Sequence, residues 1–146
     1  MAKGDTGSAT WNGGLADGKG TISTGSGALD AQPFGFNTRF ESEPGTNPEE
    51  LIAAAFAACF SMALSKELEA EGITDPRIHA TSTAHLEKTD AGFRITRVEL
   101  AVEAGGTASD PDDGGAFDRA VEATKANCPV ANLLDADIAY TVTRAT

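Results

Sequence analysis

The sequence predicts an α+β fold with antiparallel sheets in a single domain over residues 1–146. Three observations predict it. Short alternating segments with glycine-rich turns fill residues 5–41, a long alanine-rich helix begins near Pro48, and a hairpin, two helices and a strand complete the chain. Strands and helices in separate blocks are typical of α+β domains, and this length can bury a substantial core.

The N-terminal part predicts three short strands over residues 6–12, 20–24 and 35–41. They alternate in polarity and are separated by glycine-rich turns. In the third strand, one face carries Phe34, Phe36, Thr38 and Phe40. The opposite face carries the polar residues Asn37, Arg39 and Glu41.

A strong helix start follows. Asn47 suits the N-cap, Pro48 the first helical position, and Glu50 the third position of a capping box. The helix should end near Glu71, because Gly72 is a natural residue for the position after a helix. Its first turns are apolar nearly all round, which is typical of a buried helix. A chain this small cannot wrap it completely, so we expect a second copy to cover part of it.

Residues 78–87 change to a period of two and predict a strand that pairs with 93–103 across a turn at 90–92. The apolar positions of the second strand switch parity, which indicates a bulge near Thr96 and Arg97.

The C-terminal part predicts an acidic, glycine-rich mobile loop over residues 103–116. An amphipathic helix should follow over 117–125, then a short helix opened by Pro129 and a closing strand over 138–142.

Composition excludes several partners. The net charge of −11, from 22 acidic and 11 basic residues, repels phosphate backbones and anionic membrane surfaces, so we expect neither nucleic acid nor a membrane as partner.

The N-terminus shows no secretory signal, and the uncharged run at 51–65 is short and alanine-rich. We therefore expect a cytoplasmic protein, where a cysteine pair is more often catalytic, redox-sensing or metal-binding than structural.

The two cysteines are the candidates for chemistry. Cys59 lies within the alanine-rich helix, too far from its N-terminus for the helix dipole to favour a thiolate, so a cation should approach it. Arg39 is the one cation between Lys19 and Lys66. Cys128 precedes Pro129 and should cap a helix, where free N–H groups favour a thiolate.

The residues alone leave three functions open: a two-cysteine redox enzyme, a cysteine hydrolase, and a non-enzymatic stress or small-ligand binding protein. Taken singly, Cys59 is most simply a small buried residue, Arg39 a solvated strand residue, and Glu49 a first-turn carboxylate. A hydrolase needs a histidine base, yet His79 and His85 lie far in sequence from both cysteines. We interpret both histidines as structural, and two separated cysteines predict no zinc site.

Several spaced motifs resemble the OsmC/Ohr family of osmotically inducible protein C and organic hydroperoxide resistance proteins. The similarity spans nearly the whole chain, and the N-terminal arm is most similar to the OsmC branch. The motifs, in order, are Gly35-Phe36-Asn37-Thr38-Arg39-Phe40-Glu41, Gly45-Thr46-Asn47-Pro48-Glu49-Glu50-Leu51, Ala57-Ala58-Cys59-Phe60, Asp90-Ala91-Gly92-Phe93 and Cys128-Pro129-Val130.

The resemblance implies a thiol peroxidase that forms an intertwined homodimer with a long buried central helix. It implies that Cys59 is the peroxidatic thiolate, Cys128 the resolving cysteine, Arg39 the activating cation and Glu49 its orienting carboxylate. The substrate would be an organic hydroperoxide in preference to hydrogen peroxide, and the reductant an external dithiol such as a lipoyl group. No flavin, haem or metal is implied. Four aromatic residues are expected to line the substrate site: Phe36, Phe40, Phe56 and Phe60.

Helix geometry favours a site shared between two chains. Glu49 and Cys59 are ten residues apart on the predicted helix, which separates them by about 15 Å along its axis. Two such helices packed antiparallel would bring Glu49 of one chain beside Cys59 of the other.

Overall fold

The computed structural model describes residues 1–108, 110 and 114–145. The fold consists of two compact units, Met1–Leu51 and Ile52–Thr146, and the single-domain interpretation of the chain length stays a prediction. The helices and strands are β1 Gly7–Asn12, β2 Lys19–Thr24, β3 Gln32–Gly35, α1 Phe36–Phe40, α2 Pro48–Ala70, β4 Ile73–Thr89, β5 Gly92–Ala108, α3 Ala116–Asn127, α4 Pro129–Leu133 and β6 Asp137–Arg144.

The first unit contains an antiparallel sheet of order β1-β2-β3, which confirms the first two predicted strands. The rings of Trp11 and Phe34 pack 5.5 Å apart across it. Gly20 lies in β2 between them in sequence register, and a Cβ there would lie 2.5 Å from the Phe34 ring. The glycine therefore allows the close packing of this face.

The prediction of a strand over 35–41 is wrong beyond Gly35, because residues 36–40 form the short helix α1. The Thr38 hydroxyl accepts a hydrogen bond from the Gly35 N–H at 2.8 Å and lies 2.8 Å from the Thr46 carbonyl oxygen. Such local side-chain bonds compete with strand pairing and favour a turn of helix. The alternating phenylalanines are consequently brought together, with the Phe36 and Phe40 rings 4.7 Å apart.

The start of α2 matches the prediction in position. The Asn47 side chain accepts the Glu50 N–H at 2.9 Å, which confirms Asn47 as the N-cap. The Glu50 carboxylate accepts a hydrogen bond from the Thr46 hydroxyl at 2.6 Å. In the predicted capping box it would instead accept the backbone N–H of Asn47, the next residue. At the other end, Gly72 adopts a left-handed φ of 82°.

In the single chain, α2 is buried on one face. Its core residues recur at every fourth position, whereas Ala54, Ala58 and Met62 are exposed on other faces. By length and composition alone α2 could cross a membrane, but core helices of soluble proteins meet the same criterion. Its four fully buried residues belong to the core of the second unit: Phe56, Phe60, Leu64 and Leu68.

The second unit contains a sheet of order β4-β5-β6. β4 and β5 form the predicted antiparallel hairpin, but β6 pairs parallel to β5, so the prediction of antiparallel sheets is wrong for this strand. Parallel neighbours need a crossover connection, and α3 and α4 lie between β5 and β6 in the chain. The α3–α4 junction, where Cys128 lies, is thus part of this crossover.

The predicted bulge is confirmed. His85 pairs with Arg97 and Leu86 with Ile95, so Thr96 is the extra residue on β5. The bulge turns Val98 and Leu100 toward the core, and both are at most 1% exposed.

The predicted loop over 103–116 is wrong for its first residues, since β5 continues to Ala108 and pairs with the start of β4. A Cβ at Gly106 would lie 2.7 Å from the Thr74 carbonyl oxygen, so this glycine serves close backbone approach rather than flexibility. Residues 109 and 111–113 of that prediction lie outside the described residues. The helices over 116–127 and 129–133 and the strand β6 confirm the remaining predictions.

The N-cap of α2 is open to a stability test. Asn47→Ala removes the acceptor of the Glu50 N–H and should lower the free energy of unfolding by about 1 kcal/mol, whereas Asn47→Ser keeps an acceptor and should change it by a few tenths. Urea denaturation of both variants and the wild type at one protein concentration measures this. Equal losses in the two variants would contradict the capping role.

Candidate active site

The two cysteine side chains meet in the second unit. Both are free thiols, Cys59 half-buried on α2 and Cys128 with no exposed surface. Their sulfur atoms lie 3.6 Å apart, with the Cys128 S–H donating to the Cys59 sulfur. Since a disulfide joins sulfurs at about 2.05 Å, this pair can be oxidised to a disulfide with a small local movement.

The backbone holds Cys128 from both sides. It is the C-cap of α3 and the N-cap of α4, with φ −65° and ψ 117°. Its N–H donates to the Thr124 carbonyl at 2.9 Å, and its carbonyl accepts the Asn132 N–H at 3.1 Å. Pro129 then supplies the first residue of α4. The junction therefore fixes the direction in which the Cys128 side chain leaves the backbone.

Burial is the largest influence on the pKa of Cys128. It raises the pKa of the Cys128 thiol, and the N–H groups of Ala131 and Val130 lower it by less. The neighbouring Cys59 raises this pKa further. The predicted effect of the start of α4 on the Cys128 thiol is therefore present, but it does not set the net direction of the pKa shift. The N–H groups of Ala131 and Val130 act in the predicted direction, but burial outweighs them.

An aromatic cluster adjoins this part of the core. Phe56 and Phe60 flank Cys59 in sequence and pack against Tyr140 of β6, with ring centroids 6.3 Å and 5.7 Å from it. Both phenylalanines are fully buried, so neither offers a surface that a substrate could contact in the single chain. Their role in substrate binding stays a prediction. Phe36 is half-buried and Phe40 is 44% exposed, both in the first unit.

The sequence analysis assigned no site role to Tyr140 or Lys125. Burial raises the pKa of Tyr140, with a smaller contribution from the charge of Cys128. The Lys125 Nζ lies 5.2 Å from the centre of the Tyr140 ring and pairs with Glu122 at 2.7 Å. The alternation of Ile138, Tyr140 and Val142 in the sequence could have placed Tyr140 on the inward face of β6. Which helix packs against that face depends on the crossover between β5 and β6.

Arg39 and Glu49 form the second pair, within the first unit. The Arg39 Nε donates to Glu49 Oε2 at 3.1 Å and Nη2 donates to Oε1, a two-point contact. The Glu49 side chain is 11% exposed and that of Arg39 is 30% exposed. The α1 helix contributes Arg39 in its last turn, and α2 contributes Glu49 in its first turn. The predicted contact is thus present, and its catalytic role stays a prediction.

Metal ligation finds no support in the residues described. No group of three or more His, Cys, Asp or Glu side chains is arranged to hold a metal among residues 1–108, 110 and 114–145. His85 instead contacts Glu99 at 3.0 Å on the surface of the second sheet. That contact, together with Arg97, lowers the pKa of Glu99.

Comparison with known proteins identifies the family of this chain. A family model for the OsmC-like protein matches residues 40–143. The chain belongs to the OsmC-like family. It is 52% identical to peroxiredoxin OsmC of Escherichia coli K12 over 132 residues, which cover 90% of each chain. It is 36% identical to the organic hydroperoxide resistance protein OhrB of Bacillus subtilis 168 over 77 residues, 52% of this chain and 57% of OhrB.

The fold is also that of the family. The crystal structure of B. subtilis OhrB matches with a TM-score of 0.68 and 29% identity, covering 96% of this chain and 98% of OhrB. The OsmC-like fold expected from the sequence motifs is therefore confirmed.

Proposed function

We propose that this OsmC-like chain is a cysteine-based peroxidase that reduces organic hydroperoxides to alcohols in oxidative or osmotic stress. The observation that carries the proposal is the contact of two free thiols at 3.6 Å in a buried setting. The names of its relatives, a peroxiredoxin and an organic hydroperoxide resistance protein, support the same chemistry.

Oxidation begins at Cys59 in this proposal. Its thiolate attacks the distal oxygen of the hydroperoxide, so that an S–O bond forms as the O–O bond breaks. The leaving alkoxide takes up a proton and departs as an alcohol. Cys59 is left as a sulfenic acid and has lost two electrons. The half-buried position of Cys59 fits this step better than the fully buried Cys128, because a substrate must reach the sulfur.

Resolution follows at Cys128. Its sulfur attacks the Cys59 sulfur, the S–O bond breaks, and the hydroxide leaves as water with the Cys128 proton. An external dithiol, for example a lipoyl group, then returns two electrons and restores both thiols. The cycle needs no flavin, haem or metal, and a reducing cytoplasm would keep the pair in its free state.

Apolar surface should favour organic substrates. Each buried methylene of a substrate contributes about 0.8 kcal/mol to binding. Phe36 and Phe40 are the candidates with accessible surface, and their rings lie 4.7 Å apart. Arg39, held flat by Glu49, would supply the positive charge that favours the reactive thiolate.

Peroxide consumption with a dithiol tests the peroxidase function. We expect the wild type to show a higher kcat/KM for cumene hydroperoxide than for hydrogen peroxide. Cys59→Ser should abolish turnover, whereas Cys128→Ser should consume the first equivalent and then slow. Wild-type consumption in Cys59→Ser would reject the assignment. A kcat/KM for hydrogen peroxide at or above that for the organic substrate would reject the preference.

We further propose that the enzyme is an intertwined homodimer in which Arg39 and Glu49 of one chain act with Cys59 and Cys128 of the other. The exposed alanines and Met62 of α2 support a covering partner, since an exposed apolar helix face is unfavourable in water. The helical separation of Glu49 from Cys59 supports the same arrangement.

Heterodimer complementation tests the shared site. Cys59→Ser and Arg39→Ala/Glu49→Ala proteins should each have little activity. After unfolding and joint refolding, heterodimers should recover activity, because one of their two sites regains a complete set of residues. Each variant refolded alone is the control. No recovery in a heterodimer verified by mass would place all four residues in one chain.

A further inference from the structure

We propose that Cys128 acts on Cys59 before any disulfide forms, as the hydrogen-bond donor that stabilises the Cys59 thiolate. The inference rests on the proposed function and deepens it. Its basis is geometric: the Cys128 S–H donates to the Cys59 sulfur at 3.6 Å, from a side chain with no exposed surface. Among the residues that the structure describes, no other hydrogen bond to the Cys59 sulfur is present.

The burial of Cys128 favours its protonated form. Burial raises the pKa of Cys128, so this thiol stays protonated at pH values where an exposed thiol would begin to ionise. A thiol that keeps its proton is a donor, whereas two neighbouring thiolates would repel each other. Of the two sulfurs, that of the half-buried Cys59 is the one that solvent and substrate can reach, so we assign the negative charge to Cys59.

The hydrogen bond is well placed to stabilise charge. Hydrogen bonds to an ionised acceptor are stronger than those between neutral groups, and the buried surroundings weaken the competition from water. The bonds of the α3–α4 junction hold the donor in position. Tyr140 of β6 is a further titratable group near Cys128, and Lys125 of α3 lies over the Tyr140 ring.

Cys128 then has two successive roles in one cycle. In the reduced enzyme its proton points at the Cys59 thiolate. After Cys59 has become a sulfenic acid, the Cys128 sulfur attacks, and the same proton leaves with the hydroxide as water. The S–S bond forms as the S–O bond breaks, so the step balances without a further reactant.

Three substitutions separate the donor role from resolution. Cys128→Ser keeps a donor, whereas Cys128→Ala and Cys128→Val remove it, and none of the three can form the disulfide. The readout is the rate of Cys59 alkylation by iodoacetamide between pH 5 and 10, located by peptide mass mapping, with no peroxide present. Circular dichroism confirms that each variant is folded.

We expect the pH midpoint of Cys59 alkylation to stay at or below the wild-type value in Cys128→Ser. In Cys128→Ala and Cys128→Val it should rise by about one unit, which makes alkylation about tenfold slower on the acid side of the midpoint. Equal midpoints in all four proteins would overturn the donor role. A rise in only one of the two apolar variants would overturn it as well, because packing would then be the cause.

A second readout separates this inference from the peroxidase function. Stopped-flow measurement of the first equivalent of cumene hydroperoxide should show the same ranking, with Cys128→Ser close to the wild type and both apolar variants about tenfold slower near neutral pH. If the wild type consumes no peroxide while the alkylation midpoints still shift, the function fails and the donor role stands. If peroxide is consumed at equal rates and the midpoints coincide, the function stands and the donor role fails.

Discussion

The contact between the two sulfur atoms is the constraint on which the account depends. A buried thiol at 3.6 Å from a half-buried one is unremarkable as packing, but its chemistry is specific. Because Cys128 is fully buried at a helix junction, it neither ionises readily nor meets oxidant directly. In the proposed cycle, Cys59 is therefore the sulfur that reacts with the hydroperoxide, and Cys128 is the one that resolves the sulfenic acid. The difference in burial, rather than any difference in residue type, is what assigns the two cysteines different roles in this proposal.

The fold supplies this contact through two features, the α2 helix and the crossover between β5 and β6. The α2 helix anchors Cys59 through a stripe of fully buried residues, including Phe56 and Phe60 on either side of it. The parallel pairing of β5 and β6 requires a crossover, and its interruption between α3 and α4 creates the position of Cys128. In the first unit, the two-point contact of Arg39 with Glu49 is equally preformed. Reactive groups held in place before substrate arrives lose little freedom during the reaction.

Local signals in the sequence predicted much of the fold, and the family resemblance predicted the two side-chain pairs, Cys59 with Cys128 and Arg39 with Glu49. The Asn47 cap, the bulge at Thr96 and the junction at Cys128 are set by neighbouring residues and were predictable. The predictions that failed did so for separate physical reasons. The alternation in 35–41 gave way to the hydrogen bonds of Thr38, and the direction of β6 follows from the crossover. The protonation of Cys128 could not be predicted, because its burial results from packing of the whole unit.

The central claim is that the two thiols of one chain react with each other as soon as one is oxidised. The most direct measurement adds one equivalent of cumene hydroperoxide to fully reduced protein, made as a mixture of ¹⁵N-labelled and unlabelled chains, and quenches it with an alkylating agent. Peptide mapping without reductant should find Cys59 joined to Cys128, with both peptides carrying the same label. A persistent sulfenic or sulfinic acid at Cys59 beside an alkylated Cys128, or disulfides joining labelled to unlabelled peptides, would contradict the account.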